Sequence, residues 1–113
     1  MIIPILQYAV AVATIITGLV SLLWPLKVLG FTGLQVSGGR GVTEIRAVLG
    51  AFFIGLGASA LYFNAPETYA MLGITYLVVA LVRAISMFVD RSIVSSNTLS
   101  LVVELIFGVI LVL

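Results

Sequence analysis

Four long apolar runs, nearly empty of charge, limit this chain more than any other feature. Ile2–Trp24 has no charged residue, and Thr43–Phe63 has only Glu44 and Arg46, at its start. Thr68–Val89 contains only Arg83, and Ser95–Leu113 only Glu104. A bilayer's hydrocarbon core takes about 20 apolar residues as a helix. Lipid offers the backbone no hydrogen bonds, so each run must satisfy its own amides. The pattern predicts an all-α fold, a four-transmembrane-helix antiparallel bundle. The helices are expected near 2–24, 43–63, 68–89 and 95–113, in one domain over 1–113. Charged residues make up 8% of the chain, against about 25% in soluble domains, which argues against a water-facing surface. The first run has no basic flank and is longer than the usual apolar region of a signal peptide, so it is expected to be retained.

The connections are unequal. "PLKVLGFTGLQVSGGRG" is the long one; its Leu26–Leu34 part suits a short interfacial piece, and Ser37–Gly41 a flexible loop. "NAPE" reads as a tight turn, with Pro66 suited to the first turn of the next helix. Short connections imply antiparallel neighbours. Lys27 and Arg40 lie in the first loop and Arg91 in the third, while the second loop has no Lys or Arg. The positive-inside rule then puts the first and third loops in the cytoplasm and both termini outside. A bacterial inner membrane is the expected location.

The inventory excludes several chemistries. With no cysteine and no histidine, there is no thiol, no disulfide and no usual haem or zinc ligand. No nucleophile–base pair is visible. "VSGGRG" lacks the Gly-Lys-(Ser/Thr) ending of a phosphate loop. No cofactor, no metal and no catalytic residue is expected. The net charge of +1 gives no reason to expect a nucleic-acid partner.

Polar and small residues recur seven apart, which keeps them on nearly one side of a helix. The stripes are Gln7, Thr14 and Ser21; Thr43, Gly50, Gly57 and Asn64; Tyr69, Tyr76, Arg83 and Asp90; and Asn97 with Glu104. In lipid such stripes turn inward. A second ridge, Ala47, Ala51, Gly55 and Ser59, has the small-xxx-small form that lets backbones approach closely. It is open to a neighbour within the bundle or to a second protein. Gly50, Gly55, Gly57, Ala51 and Ser59 are thus the candidate packing residues. At about 1.5 Å per residue, Arg46 lies about 5 Å inside its helix, Arg83 about 9 Å and Glu104 about 12 Å, all from one side. Glu44, Arg46, Tyr76, Arg83, Asp90 and Glu104 are therefore the candidate buried polar cluster. Such a cluster either fixes helix order or serves binding or proton handling, unless the arginines snorkel separately.

"TEIRAVLGAFFIGLG", "RAISMFVDR" and "LVVELIFG" together resemble an uncharacterised family of small bacterial four-helix membrane proteins and, more distantly, the DoxX-like proteins. The family pattern is a Thr-acidic-Ile-Arg-Ala opening, a glycine pair, a late arginine in the third helix, an acidic residue at its end and a glutamate in the fourth. Thr43, Glu44, Ile45, Arg46, Ala47, Gly50, Arg83, Asp90 and Glu104 match it. Ala51 stands where a second glycine is expected, and Arg91 where a glycine often follows the acidic residue. The resemblance covers nearly the whole chain and implies the fold and the cluster, with no assigned activity.

These features favour a non-catalytic membrane subunit, an accessory or assembly component of a larger complex. Its expected partners are the lipid bilayer and other membrane proteins or itself. The alternative is a dimeric small-molecule or anion transporter using Arg46, Arg83 and Glu104. A quinone site built from Tyr76, Arg83 and Glu104 is a weaker enzymatic reading.

Overall fold

The computed structural model describes residues 1–113. It is helical throughout, without strands, and four of its helices are long and apolar enough to cross a membrane: Ile2–Leu23, Gly39–Phe63, Pro66–Val89 and Ser95–Val112. The first two are joined by a 3₁₀ turn at Pro25–Lys27 and a short helix, Val28–Thr32. That short helix stops at Gly33, whose φ of 78° is left-handed, a conformation glycine adopts without steric cost.

The second helix starts at Gly39, inside the stretch expected to be loop. Local bonds explain this. Arg40 pairs with Glu44 one turn on, and the Thr43 hydroxyl donates to the Gly39 carbonyl at 3.0 Å. The next segment, Ile45–Ala51, is π-helical, and the Phe52 amide closes it by donating to Ala47 O. A π turn bonds i to i+5 and so holds about one residue more than an α turn. Positions on either side of it shift by roughly 100° around the axis, the angle of one residue. The seven-residue stripe therefore breaks. Gly50 and Gly57 are buried, while Thr43 is exposed.

The third helix begins at Pro66, with Ala65 as its extended N-cap. The Thr68 hydroxyl accepts from the Ala65 amide at 3.3 Å and donates to the Ala65 carbonyl at 2.8 Å. Asn64, left-handed at φ 46°, accepts a hydrogen bond from the Tyr69 hydroxyl at 2.9 Å.

The chain divides into two compact units, Met1–Val10 with Asn64–Leu113, and Ala11–Phe63. In the first, the third and fourth helices pack side by side. Their buried residues, Tyr69, Leu72, Gly73, Ala80 and Met87 with Glu104, Gly108 and Leu111, follow the three-and-four spacing of left-handed helix pairs. Gly73 and Gly108 mark the closest approach: a Cβ on Gly73 would stand 3.0 Å from Gly108 O, and one on Gly108 3.1 Å from Gly73 O. Gln7 donates to the Ile110 and Leu111 carbonyls at 3.2 and 3.3 Å, which are among the four left without intrahelical partners at a helix C-terminus.

In the second unit, glycines again set the approach of two helices. A Cβ on Gly18 would lie 2.5 Å from Gly50 O and 2.9 Å from Ile54 N, and one on Gly57 2.7 Å from Ala11 O. Ala11, Thr14, Gly18 and Ser21 are the buried residues of the first helix here. The ridge of Ala47, Ala51, Gly55 and Ser59 points the other way. All four are exposed, and a Cβ on Gly55 would meet nothing within 4 Å. Of the candidate packing residues, Gly50 and Gly57 are packed within the chain, whereas Ala51, Gly55 and Ser59 are not.

This contrast makes a paired test. Gly18→Ala forces backbone apart and is expected to destabilise by roughly 1–3 kcal/mol, the usual range for overpacking. Gly55→Ala, in open space, is expected to be neutral or stabilising by up to about 1 kcal/mol through helix propensity. Unfolding of purified protein in mixed micelles measures both; equal losses at the two positions would contradict this packing.

Candidate functional site

The candidate site lies between the third and fourth helices. Arg83, late in the third helix, extends its guanidinium to Glu104. Nε donates to Oε1 at 2.8 Å and Nη2 to Oε2 at 2.7 Å, the two-pronged geometry that makes arginine–carboxylate pairs strong and directional. Nη1 donates to Asn97 Oδ1 at 2.8 Å. The Asn97 amide nitrogen donates to the Ser92 carbonyl at 3.0 Å and the Ser92 hydroxyl at 3.2 Å. Ser92 therefore orients Asn97, and Asn97 presents its oxygen to Arg83.

The local chain path produces this arrangement. Arg91, left-handed at φ 51°, turns the chain after the third helix. The Ser92 amide then bonds to Met87 O at 3.0 Å, bringing Ser92 close to the first turn of the fourth helix, where Asn97 stands. Asn97 and Glu104 are seven apart, so both face the third helix.

Glu104 is buried, with its side chain 12% exposed, against 32% for Arg83. Both carboxylate oxygens accept a hydrogen bond from Arg83, and no buried side-chain nitrogen or oxygen in the chain lacks a partner. Arg83 uses three of its five N–H donors. Tyr76 packs edge-on against Phe107, with ring centroids 5.5 Å apart and an interplanar angle of 90°.

Three further members of the expected cluster are exposed. Glu44 is exposed and held by Arg40. Arg46 and Asp90 are exposed and form no ion pair. The six-residue cluster is corrected on this point: Glu44 is held by Arg40 one turn away, Asp90 caps the end of the third helix, and Arg46, seven residues in from Gly39, is exposed, its side chain long enough to reach the interface without being buried. Asn97 was legible as part of a polar stripe but not as a ligand of Arg83. Ser92, in a turn outside any periodic pattern, left no such signal.

Comparison with known families matches residues 2–113 to the family described as a domain of unknown function, DUF4345. The chain belongs to this family. No curated protein and no solved structure matches it. The match covers all four long helices, so the Arg83–Glu104 pair falls wholly within the DUF4345 domain. In chemical terms the pair holds a carboxylate with both oxygens engaged by a fixed cation. That suits holding two helices in register.

Removing one partner of a buried pair costs about 3–5 kcal/mol, because the other charge stays behind, whereas replacing both with apolar residues is often neutral. In this DUF4345 chain Arg83 keeps about a third of its exposure, so Glu104→Gln is expected to cost roughly 2–4 kcal/mol, toward the lower side of that range. The double variant Arg83→Met with Glu104→Leu is expected to be more stable than either single change. Unfolding midpoints in mixed micelles provide the comparison, and additive losses in the double variant would rule out coupling.

Proposed function

We propose that this protein is a non-catalytic integral membrane subunit, an accessory or assembly component that docks onto another membrane protein. The observation that carries this reading is the closed Arg83–Glu104–Asn97 network. A transporting carboxylate has to exchange a proton or a ligand, and Glu104 has both oxygens committed to one guanidinium. Charge within the helix pair is thereby spent on architecture. The outward ridge of Ala47, Ala51, Gly55 and Ser59 supports the docking part, since small residues let a second helix approach closely. The proposal includes a bacterial inner membrane with both termini outside, following the lysine and arginine bias of the loops. It also includes a distant kinship with DoxX-like proteins, resting on the second-helix opening.

One observation favours the alternative, an anion transporter. Arg83 has two N–H donors not used by Glu104 or Asn97, and its side chain is one-third exposed.

The absence of native cysteine allows a direct test. Single cysteines at Ala51, Gly55 and Ser59, labelled with a photoreactive maleimide, are expected to cross-link to a neighbouring polypeptide in native membranes on illumination, while labelled cysteines at the equally outward Val82 and Ile106 are not. A uniform pattern over both sets would sink the docking reading. A product of twice the chain's mass would identify the neighbour as a second copy. For the alternative, anion uptake into proteoliposomes that disappears in Arg83→Lys with the fold retained would displace the subunit reading.

A further inference from the structure

We propose that the first-loop end of the Ala11–Phe63 unit binds the headgroups of anionic phospholipids, with Lys27 and Arg46 as the phosphate-contacting cations. This goes beyond the subunit reading and does not depend on it.

The packing of this unit brings the two cations to one end. A Cβ on Gly50 would lie 3.1 Å from the Leu22 amide nitrogen, so Gly50 and Leu22 stand at the same height. Arg46 is four residues from Gly50 toward the start of its helix, about one turn along the axis. On the facing strand of chain, the first helix ends at Leu23 and Lys27 follows in the 3₁₀ turn. Both cations therefore lie on the loop side of the Gly50–Leu22 crossing.

Neither cation is neutralised by the protein. Both are exposed, and neither takes part in an ion pair. Glu44, the acidic residue of this unit, is held by Arg40. An arginine at the edge of hydrocarbon with no counter-charge is costly, and the membrane itself supplies phosphate at that depth. Guanidinium and phosphate match in planar two-pronged geometry.

The surroundings select a lipid over a free anion. Trp24, Leu26, Phe31 and Leu34 are all exposed around this connection. Trp is favoured at the headgroup level, and the aliphatic and phenyl groups suit acyl chains. A ligand with a phosphate and an apolar tail satisfies both sets of groups. Basic residues beside an anionic leaflet strengthen binding by about fivefold each.

Trp24 is the single tryptophan of the chain, which provides a local reporter. The full-length protein is reconstituted into phosphatidylcholine vesicles containing a fraction of phosphatidylglycerol, with bromine on the acyl chains of one lipid or the other. Quenching of Trp24 is expected to be several-fold more effective from brominated phosphatidylglycerol. The preference should fall in Arg46→Gln, reach near parity in the Lys27→Gln, Arg46→Gln double variant, and also fall with rising salt. Circular dichroism checks that the variants stay folded, and the salt titration on the unaltered protein does not rely on them. Equal quenching by the two lipids, or a preference that survives the double variant, overturns the proposal. Displacement of quenching selectivity by millimolar inorganic phosphate alone would assign the site to a soluble anion and overturn the lipid assignment.

Discussion

A polar group inside hydrocarbon has no solvent to turn to, and most of this structure follows from that. Water can repair an unpaired donor on a soluble protein, but lipid cannot. Several polar side chains along the spans have accordingly been given a partner within the chain. Thr17 and Thr75 donate to carbonyls one turn back at 2.9 Å, satisfying the hydroxyl inside its own helix. Gln7 spans to the last carbonyls of the fourth helix. Arg83 takes Glu104 and Asn97.

The same constraint makes the apolar faces weak determinants of packing. Leucine against lipid is about as favourable as leucine against leucine, so the hydrophobic effect gives helices little reason to associate here. Close backbone approach and matched polar groups have to supply the specificity. The two work at different heights of the third and fourth helices: Gly73 against Gly108 toward one end, and Arg83 with Glu104 and Asn97 toward the other. A glycine crossing alone leaves helices free to slide by a turn. The two-pronged ion pair removes that freedom, because a shift of one turn, about 5 Å, would break both bonds at once.

How much of this could be read in the sequence depended on the range of the interaction. The four spans were legible because twenty apolar residues in a row admit few interpretations. Arg83 and Glu104 were legible as isolated charges at comparable depth that needed each other. The start of the second helix at Gly39 was not, since glycine's poor helix propensity masked the Arg40–Glu44 pair and the Thr43 bond. The stripe through Thr43 and Gly50 assumed an unbroken 3.6 period, and the π turn at Ile45–Ala51 broke it. Gly18, Gly73 and Gly108 carry close approaches that no spacing argument singled out, because a glycine's packing role lies in the residue opposite it. The ridge at Gly55 had the right pattern and faces outward, which periodicity cannot distinguish from inward.

Arg46 and Arg83 show how depth decides the fate of one residue type. Arg83 is six residues from the end of its helix, about 9 Å in. From there a guanidinium reaches water only by stretching its whole side chain along the helix, so an internal carboxylate is the better solution and Glu104 supplies it. Arg46 is seven residues into its own helix, but it lies on the loop side of the Gly50–Leu22 crossing, beyond the level at which the neighbouring first helix ends at Leu23. Its side chain meets the interface within its own length. An internal acid there would bring a desolvation cost that phosphate and water do not impose. Two arginines in one small membrane protein are thus held by different media, one by the chain and one by its surroundings. Their contributions should respond differently to salt: screening acts on the exposed charge at Arg46 and reaches the buried Arg83–Glu104 pair much less.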